Sequence, residues 1–580
     1  MAERVDVCIV GSGFGGSISA WRLAELYRAA GADAKNILVL ERGRRFKHTE
    51  FKQSMSVDHL ASVYNLIQST QGSGGQFVVA NAVGGGSNLY LAASLRSPRE
   101  IFERRDHAPD DGPDRRIWPN EISRASLNPY YARVERALRV RQPSWNEVSK
   151  SGSLWAASLH AAGHTCDRVP LAIDFGRCVD AKWCHTGCVF GAKNTVTTNY
   201  LAAAEVAGVQ VRPNRQVNDV RRSTTDGYRY VVTADVMDNE GDHPTRQPAH
   251  GMQEEIECRV LILSAGAMGT PPILMRSKQN GDLPSVSERI GKHLGVNGDH
   301  IAGVEYDPKK VREVLKLPGY GAFYKGKPIT TLSYDWYAGR PGNQNDGKRF
   351  TLQEIFLSTL TNFLYDDGRD PAGELSFWGV QKKRSIAAWS DHIEILAMVE
   401  DTHDGEFYMA PPNGGGNESP NAGPVKVGLI SYTMSEQSLA VRDAANQAIK
   451  SVVERRGLGR FLGLTETRGA YCAHPLGGAR MAEAKDLGVV NHLCEVFDSD
   501  GLFCVDSSAI PSSLGVNPSL TIAAVSERAA EGIVKRSRDL GLPAAPPGFK
   551  GGTTPPVHVG DRVVPKLRKP KNATEPPGGC

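Results

Sequence analysis

Residues Arg4–Gly16 read RVDVCIVGSGFGG, and no other stretch narrows the fold as far. Val5, Val7, Ile9 and Val10, with Cys8 among them, form the short apolar run of a buried strand. The run stops at Gly11-Ser-Gly13-Phe14-Gly15-Gly16. From Ser17 onward Ile18, Trp21, Leu23, Leu26 and Tyr27 recur at helical spacing through Ala30, and a second apolar run, Ile37–Leu40, ends at Glu41. Strand, glycine turn, helix, strand and acid is the layout of a dinucleotide-binding unit. Gly11 allows the tight turn, Gly13 lets the backbone approach a pyrophosphate, and Gly16 lets the helix pack close on the strand. The helix start offers unpaired N–H groups and a positive dipole end to the phosphates. Glu41 is the acid that accepts hydrogen bonds from an adenosine ribose; it lies 25 residues beyond Gly16, and the connection AGADAKN absorbs the excess.

At 580 residues the chain is long for one core, so two or more closely joined domains are expected. No run of 18 apolar residues occurs, and the N-terminus enters a core strand at once, which leaves no room for a signal peptide. A cytoplasmic location follows as the expectation. The ten cysteines do not form a disulfide framework for a chain this size; Cys8, Cys258 and Cys504 fall in apparent strands and read as buried thiols. The formal charge of +4 is carried entirely by the segment from Pro543 onward, with its six basic and two acidic residues. The body is therefore neutral, which argues against a nucleic-acid-binding surface. That segment, residues 543–580, is rich in Pro and Gly and is expected to be a disordered basic tail.

A second backbone-rich loop follows the first unit. Val78–Val83 leads into Gly84-Gly85-Gly86-Ser87-Asn88 and then Leu89-Tyr90. Its apolar flanks argue for burial against a flat or phosphorylated ligand. With the first loop and Glu41, this segment resembles the glucose–methanol–choline (GMC) family of FAD oxidoreductases, in its bacterial cholesterol-oxidase-like branch. The resemblance implies an α/β Rossmann-like FAD-binding domain with a discontinuous α+β substrate domain built on a β-sheet. It divides the chain into residues 1–98, 199–305 and 466–542 for FAD, and 99–198 and 306–465 for the substrate or cap. It implies that FAD is held by Gly11, Gly13, Phe14, Gly15, Gly16 and Glu41, and by Gly84, Gly85, Gly86, Ser87 and Asn88. The backbone of Val217 contacts adenine, Ala265 and Gly266 end the returning strand, and the loop Gly291–His300 lies opposite the flavin.

Cys178, Cys184 and Cys188 are spaced C-x5-C-x3-C, with His185 beside the second. Three thiolates so close can hold a soft metal or a cluster, and zinc would take His185 as the local fourth ligand. Related proteins carry four cysteines here, where this chain has Ala181, and some dehydrogenase subunits of the family place an iron–sulfur cluster on three. The alternative is three free thiols fixed by packing. Residues 306–457 are the least informative; His392–Val399 and Val425–Ile430 read as strands and Asn413–Pro424 as a polar turn. Steroid oxidases of the family use a further glutamate in this region, for which Glu394 and Glu400 are the candidates.

Two segments near the C-terminus carry the chemistry: Cys472-Ala-His474-Pro-Leu-Gly-Gly478 and Asp506 through Asn517-Pro518-Ser-Leu-Thr521. Asn517 reads as a helix N-cap with Pro518 at the first helical position, so the helix aims its positive end at whatever precedes it. The resemblance assigns His474 as base or hydrogen-bond partner of a substrate hydroxyl, Asn517 as its companion, and Asp506, Asn517 and Pro518 as FAD contacts. It implies oxidation of an alcohol, bulky or steroid-like, by hydride transfer to the flavin N5. O2 or another electron acceptor, including a small acceptor protein, then takes the electrons. The other readings are an acceptor-linked dehydrogenase of a sugar or polyol with a cluster on Cys178, Cys184 and Cys188, an FAD-containing lyase, and a non-catalytic flavin-binding protein.

Overall fold

A computed structural model describes residues 2–556 apart from 55, 73, 107–114, 238–247, 318–325, 338–347, 357–388, 410–426 and 463–469. The predicted turn at Asn413–Pro424 and the tail beyond residue 556 lie outside the described residues.

The strand Glu3–Val10 is the centre of a seven-stranded sheet. It pairs in parallel with Ile37–Leu40 on one side and with the long strand Pro248–Leu263 on the other. Gln210–Arg212 extends the parallel part beyond Ile37–Leu40. The far side of Pro248–Leu263 is shared, with Tyr230–Met237 antiparallel along its first half and Leu502–Cys504 parallel along its end. Arg215–Arg222 completes that edge. Val7, Cys8 and Ile9 are all fully buried, because a parallel sheet covered on both faces admits no alternation of polar and apolar residues. Helix Phe14–Ala29 packs on this sheet and on helix Ser519–Lys535.

The two helices are locked by a buried ion pair. Arg22 Nε and Nη2 donate to Glu527 at 2.7 and 2.6 Å, and the Tyr200 hydroxyl donates to the same carboxylate at 2.7 Å. Arg22 also reaches the end of the chain, donating to the Thr553 carbonyl at 2.7 Å, while Thr553 N donates to Glu25 at 3.0 Å. Thr553 is thus tied to the first helix, within the stretch expected to be disordered from residue 543.

A second sheet is antiparallel, in the order Gly459–Leu462, Asp299–Tyr306, His392–Val399, Phe350–Ile355, Thr331–Ser333, Asp167–Arg168. The strand expected at His392–Val399 has those bounds, and the one expected at Val425–Ile430 is found at Val427–Tyr432. One face of this sheet packs through Ala302, Val304, Phe350, Leu352, Ile393 and Ile395 in a core shared with helices Lys150–Ala161 and Glu436–Glu454. The other face carries Ile301, Ile355, Leu396 and Met398. Among the described residues no helix is long and apolar enough to cross a membrane.

On the helix-bearing face Glu354 is fully buried at the start of helix Lys150–Ala161. Its carboxyl is met by Ser149, Ser151 and Thr330, the last through both its amide and its hydroxyl. Burial outweighs these bonds and pushes its pKa up from 4.5 to about 7. The folded state therefore prefers the protonated acid. The stability this gives is complete below pH 4.5 and is lost as the pH rises through about 7. Glu354→Gln should flatten that dependence, making the variant relatively more stable than the parent at pH 8 than at pH 5. The difference should be on the order of 3 kcal/mol, read from urea unfolding at the two pH values.

Candidate active site

Both glycine loops, the C-terminal segments and the apolar face of the second sheet meet around one cavity of about 1380 Å³. Gly11, Gly13, Phe14, Gly15, Glu41, Gly85, Gly86, Val217, Ala265, Gly266, His474, Asp506, Asn517 and Pro518 all line it. Gly16, Gly84, Ser87 and Asn88 do not. They serve behind the lining: Ser87 Oγ donates to Gly84 O at 2.7 Å, and Asn88 Nδ2 donates to Val83 O at 2.6 Å.

The first loop is glycine for two separate reasons. A Cβ on Gly15 would lie 1.6 Å from the Val505 carbonyl, so this position is dictated by packing on the C-terminal segment. A Cβ on Gly13 would meet nothing within 4 Å, because that residue faces the open cavity. Across it stands the second loop, where a Cβ on Gly85 would come within 2.9 Å of Gly13 Cα. Helix Phe14–Ala29 begins here with no side-chain cap, which leaves its first N–H groups for a ligand.

Glu41 ties the two loops together. Its Oε2 accepts from Ser12 N at 3.0 Å and Ser12 Oγ at 2.6 Å, and its Oε1 accepts from Gly43 N at 2.8 Å. Ser12 Oγ in turn accepts from Gly84 N at 2.9 Å. Behind the second loop, Lys193 is fully buried and donates to the carbonyls of Asn88, Tyr90 and Cys184 at 2.6, 2.9 and 2.6 Å. Burial lowers its pKa to about 8.

On the opposite wall the strand Arg215–Arg222 carries an irregularity between Val217 and Asp219, where the ladder to Tyr230–Met237 skips a residue. Arg215, Gln216 and Val217, just before this irregularity, line the cavity. Asp506 is buried and joins the returning strand to the C-terminal loop, accepting from Gly266 N at 2.9 Å, Thr270 Oγ1 at 2.6 Å and Ser508 N at 2.7 Å. Burial raises its pKa in spite of these bonds.

His474 is held by a residue that the sequence reading left without a role. Its Nδ1 lies 2.6 Å from Asp299 Oδ1, and Asp299 Oδ2 accepts from Ala473 N at 2.9 Å. Asp299 begins the strand Asp299–Tyr306 and is only 8% exposed. With Nδ1–H given to the carboxylate, the lone pair is on Nε2, and no side chain among the described residues engages that nitrogen. Two residues earlier Asn297 braces the neighbouring loop, its Nδ2 donating to Val516 O at 3.0 Å and its Oδ1 accepting from Leu514 N at 2.7 Å. Sequence motifs could point to this loop but not to the pairing, since 175 residues separate Asp299 from His474.

Asn517 differs from its expected role. The helix starts at Ser519, its N-cap is Pro518, and Ile522 N bonds to Pro518 O at 2.9 Å. The carboxamide is therefore released from capping, and its Oδ1 is buried without a hydrogen-bond partner. The first turn of Ser519–Lys535 likewise has no side-chain cap, so a second helix opens its positive end on the cavity.

Cys178, Cys184 and Cys188 are not brought together as a ligand set. Among the described residues no group of three His, Cys, Asp or Glu side chains is placed to hold a metal ion. Cys178 Sγ turns to Asp180 Oδ1 at 3.5 Å, and burial pushes the thiols of Cys178 and Cys184 up to about 11 and about 12. Cys188 is a free thiol too. His185, the suggested fourth ligand, instead lines the cavity, with burial lowering its pKa to about 4. Neither glutamate candidate lines the cavity. Glu400 lies 3.8 Å from Arg104 and 3.9 Å from Arg349, and Glu394 shares the apolar sheet face with Leu396 but sits one pair further along.

This arrangement fits a dinucleotide on the side of the two loops and a second, apolar ligand beside His474. Leu91, Ile301, Ile355, Leu396 and Met434 form the walls of that second region. Comparison with known proteins agrees with the architecture. Cholesterol oxidase of Mycobacterium tuberculosis is 28% identical, covering 91% of both chains, and that of Acinetobacter baumannii is 25% identical over 90% of this chain and 93% of its own. Long-chain-alcohol oxidase FAO4B of Arabidopsis thaliana is 23% identical over 90% of this chain and 66% of its own. Formate oxidase of Aspergillus oryzae superposes with a TM-score of 0.60 at 14% identity, over 93% of this chain and 99% of that one. Two profiles described as GMC oxidoreductase match residues 15–295 and 433–526, and the chain belongs to the GMC oxidoreductase family.

Proposed function

We propose that this protein oxidises a bulky, apolar alcohol to its carbonyl compound with FAD bound along the glycine-lined half of the cavity. One observation carries the reading. His474, pinned through Nδ1 by a buried carboxylate, shares a cavity with an unpartnered buried carboxamide, Asn517, and with the two glycine loops. Gly11, Gly13, Phe14, Gly15 and Gly16 would receive the diphosphate at the helix start, Glu41 the ribose, and the Val217 backbone the adenine. Gly85, Gly86, Ala265, Gly266, Asp506 and Pro518 would border the remainder, with Gly84, Ser87 and Asn88 bracing the second loop. Bound FAD supplies the hydride acceptor.

The protein's own part is proton transfer and orientation. Nε2 of His474 accepts the hydroxyl proton, and Asp299, 2.6 Å from Nδ1, stabilises the imidazolium that results. The buried Asn517 amide holds the substrate oxygen beside it. The uncapped start of Ser519–Lys535 favours negative charge at that end of the cavity. Leu91, Ile301, Ile355, Leu396 and Met434 contribute an apolar wall, which rewards an apolar substrate body at about 25 cal/mol per Å² removed from water. The names of the similar chains, cholesterol oxidase and long-chain-alcohol oxidase, support the same substrate class.

An apolar alcohol added under argon should bleach the flavin absorbance of the holoprotein completely. A spectrum unchanged by sterols and long-chain alcohols alike would sink the reading. His474→Ala should keep its FAD and lose roughly 10²–10⁴-fold in the rate of bleaching. Asp299→Asn should also keep its FAD, reduce kcat more than it raises KM, and alter the pH profile of kcat. An Asp299→Asn enzyme with parental kcat and pH profile would remove the carboxylate from the mechanism.

A further inference from the structure

The cysteine-rich loop brings a second imidazole into the cavity. His185 sits in the short turn Cys184–Thr186, and two consecutive carbonyls there are fastened from outside the turn, with the His59 ring close to the third. Lys193 donates to Cys184 O at 2.6 Å, the Tyr64 hydroxyl donates to His185 O, and His59 Nε2 lies 3.3 Å from Thr186 O. The Trp183 ring stacks on the imidazole with centroids 5.7 Å apart. The turn is held closely, yet the ring it carries has nothing to bond. Both Nδ1 and Nε2 of His185 are buried without a hydrogen-bond partner. Buried polar atoms are nearly always paired, and an orphaned one calls for an explanation.

The position of the ring supplies one. His185 lines the same cavity as His474, among Leu60, Tyr64, Leu89 and Tyr90. Tyr64, bonded to its carbonyl, is also an electrostatic neighbour of Tyr471, and Tyr471 lines the cavity three residues before His474. His185, Tyr64, Tyr471 and His474 thus all line this one cavity. A neutral imidazole presents one N–H and one lone pair, and here it is a polar spot in mostly apolar surroundings.

Resting on the alcohol-oxidation reading, we propose that His185 is a specificity residue that hydrogen-bonds a second oxygen, hydroxyl or carbonyl, at the end of the substrate remote from the reacting alcohol. The preferred substrate is then an apolar alcohol with a distal oxygen function, and not a plain hydrocarbon alcohol.

The test uses the FAD-loaded full chain and two probes, a 3-hydroxysteroid with a 17-keto group and its 17-deoxy counterpart. Anaerobic flavin reduction gives kcat and KM, and the spectral shift on adding the corresponding 3-ketones gives a binding constant that needs no turnover. The parent should favour the 17-keto alcohol in kcat/KM by roughly tenfold, mostly through KM. His185→Leu should abolish that preference and leave the deoxy alcohol and the flavin spectrum unaltered, and His185→Gln should restore part of it. The proposal is overturned if the parent shows no preference, if His185→Leu weakens both probes alike, or if it changes FAD content or the flavin spectrum instead. If neither alcohol bleaches the parent flavin, and long-chain alcohols fail as well, the oxidation reading falls on its own, and binding of the two ketones still decides the role of His185.

Discussion

A single carboxylate holds the nucleotide-facing half of this protein in shape. Glu41 takes three hydrogen bonds from Ser12 and Gly43, and Ser12 accepts a fourth from Gly84 N. The end of the second strand, the first glycine turn and the second glycine loop, which are far apart in sequence, are thereby one rigid body. Glycine-rich backbone is entropically expensive to order, and both loops are built of it. Removing the carboxylate would leave three buried donors without partners, each costing about 1–3 kcal/mol. A residue that reads from sequence as a ligand contact is also the clamp that makes the ligand surface exist.

The polar design on the other side of the cavity follows the same logic with different groups. Asp299 fixes His474, Asn297 fixes the loop before Asn517, and Asp506 joins the returning strand to the C-terminal segment. Each of these side chains is buried, and each spends its hydrogen bonds on backbone or on one functional neighbour. Lys193 completes the pattern as a buried cation satisfied by three carbonyl dipoles. Among the described residues the cavity wall keeps unpartnered polar atoms, including the Oδ1 of Asn517, the ring nitrogens of His185 and the Nε of Arg215. Unpaired polarity at the wall, beside braced groups such as Asp299 and Asp506, is what a preorganised binding surface requires.

Much of this was legible in the chain because it is local. The strand, turn, helix and strand of residues 3–40 follow from apolar runs interrupted by glycine, and each run has a length only one element suits. His392–Val399 could be read from its continuous apolar pattern, since both of its faces are covered. What could not be read is what depends on the third dimension. Nothing in the spacing of Asp299 and His474 announces a bond across 175 residues. Cys178, Cys184 and Cys188 satisfy a ligand pattern in sequence, but loop spacing does not dictate where thiols point, and here they do not converge on a metal. Asn517 was misread by one position, because Pro518 supplies the carbonyl that starts the helix and so frees the amide for the cavity. The docking of Thr553 on Arg22 and Glu25 was hidden by a composition that otherwise signals disorder.

The long strand Pro248–Leu263 has a further consequence for how the molecule comes into being. It is a splint with three partners, one from the start of the chain, one just before it, and one, Leu502–Cys504, from near the end. A nascent chain leaving the ribosome can pair Glu3–Val10 with the splint only after residue 263 has emerged, and the last edge stays bare until residue 504 follows. Throughout that interval an apolar edge waits in water, and closing it means ordering more than two hundred intervening residues. The sheet that carries the first glycine turn is therefore completed only when the last part of the chain has been made.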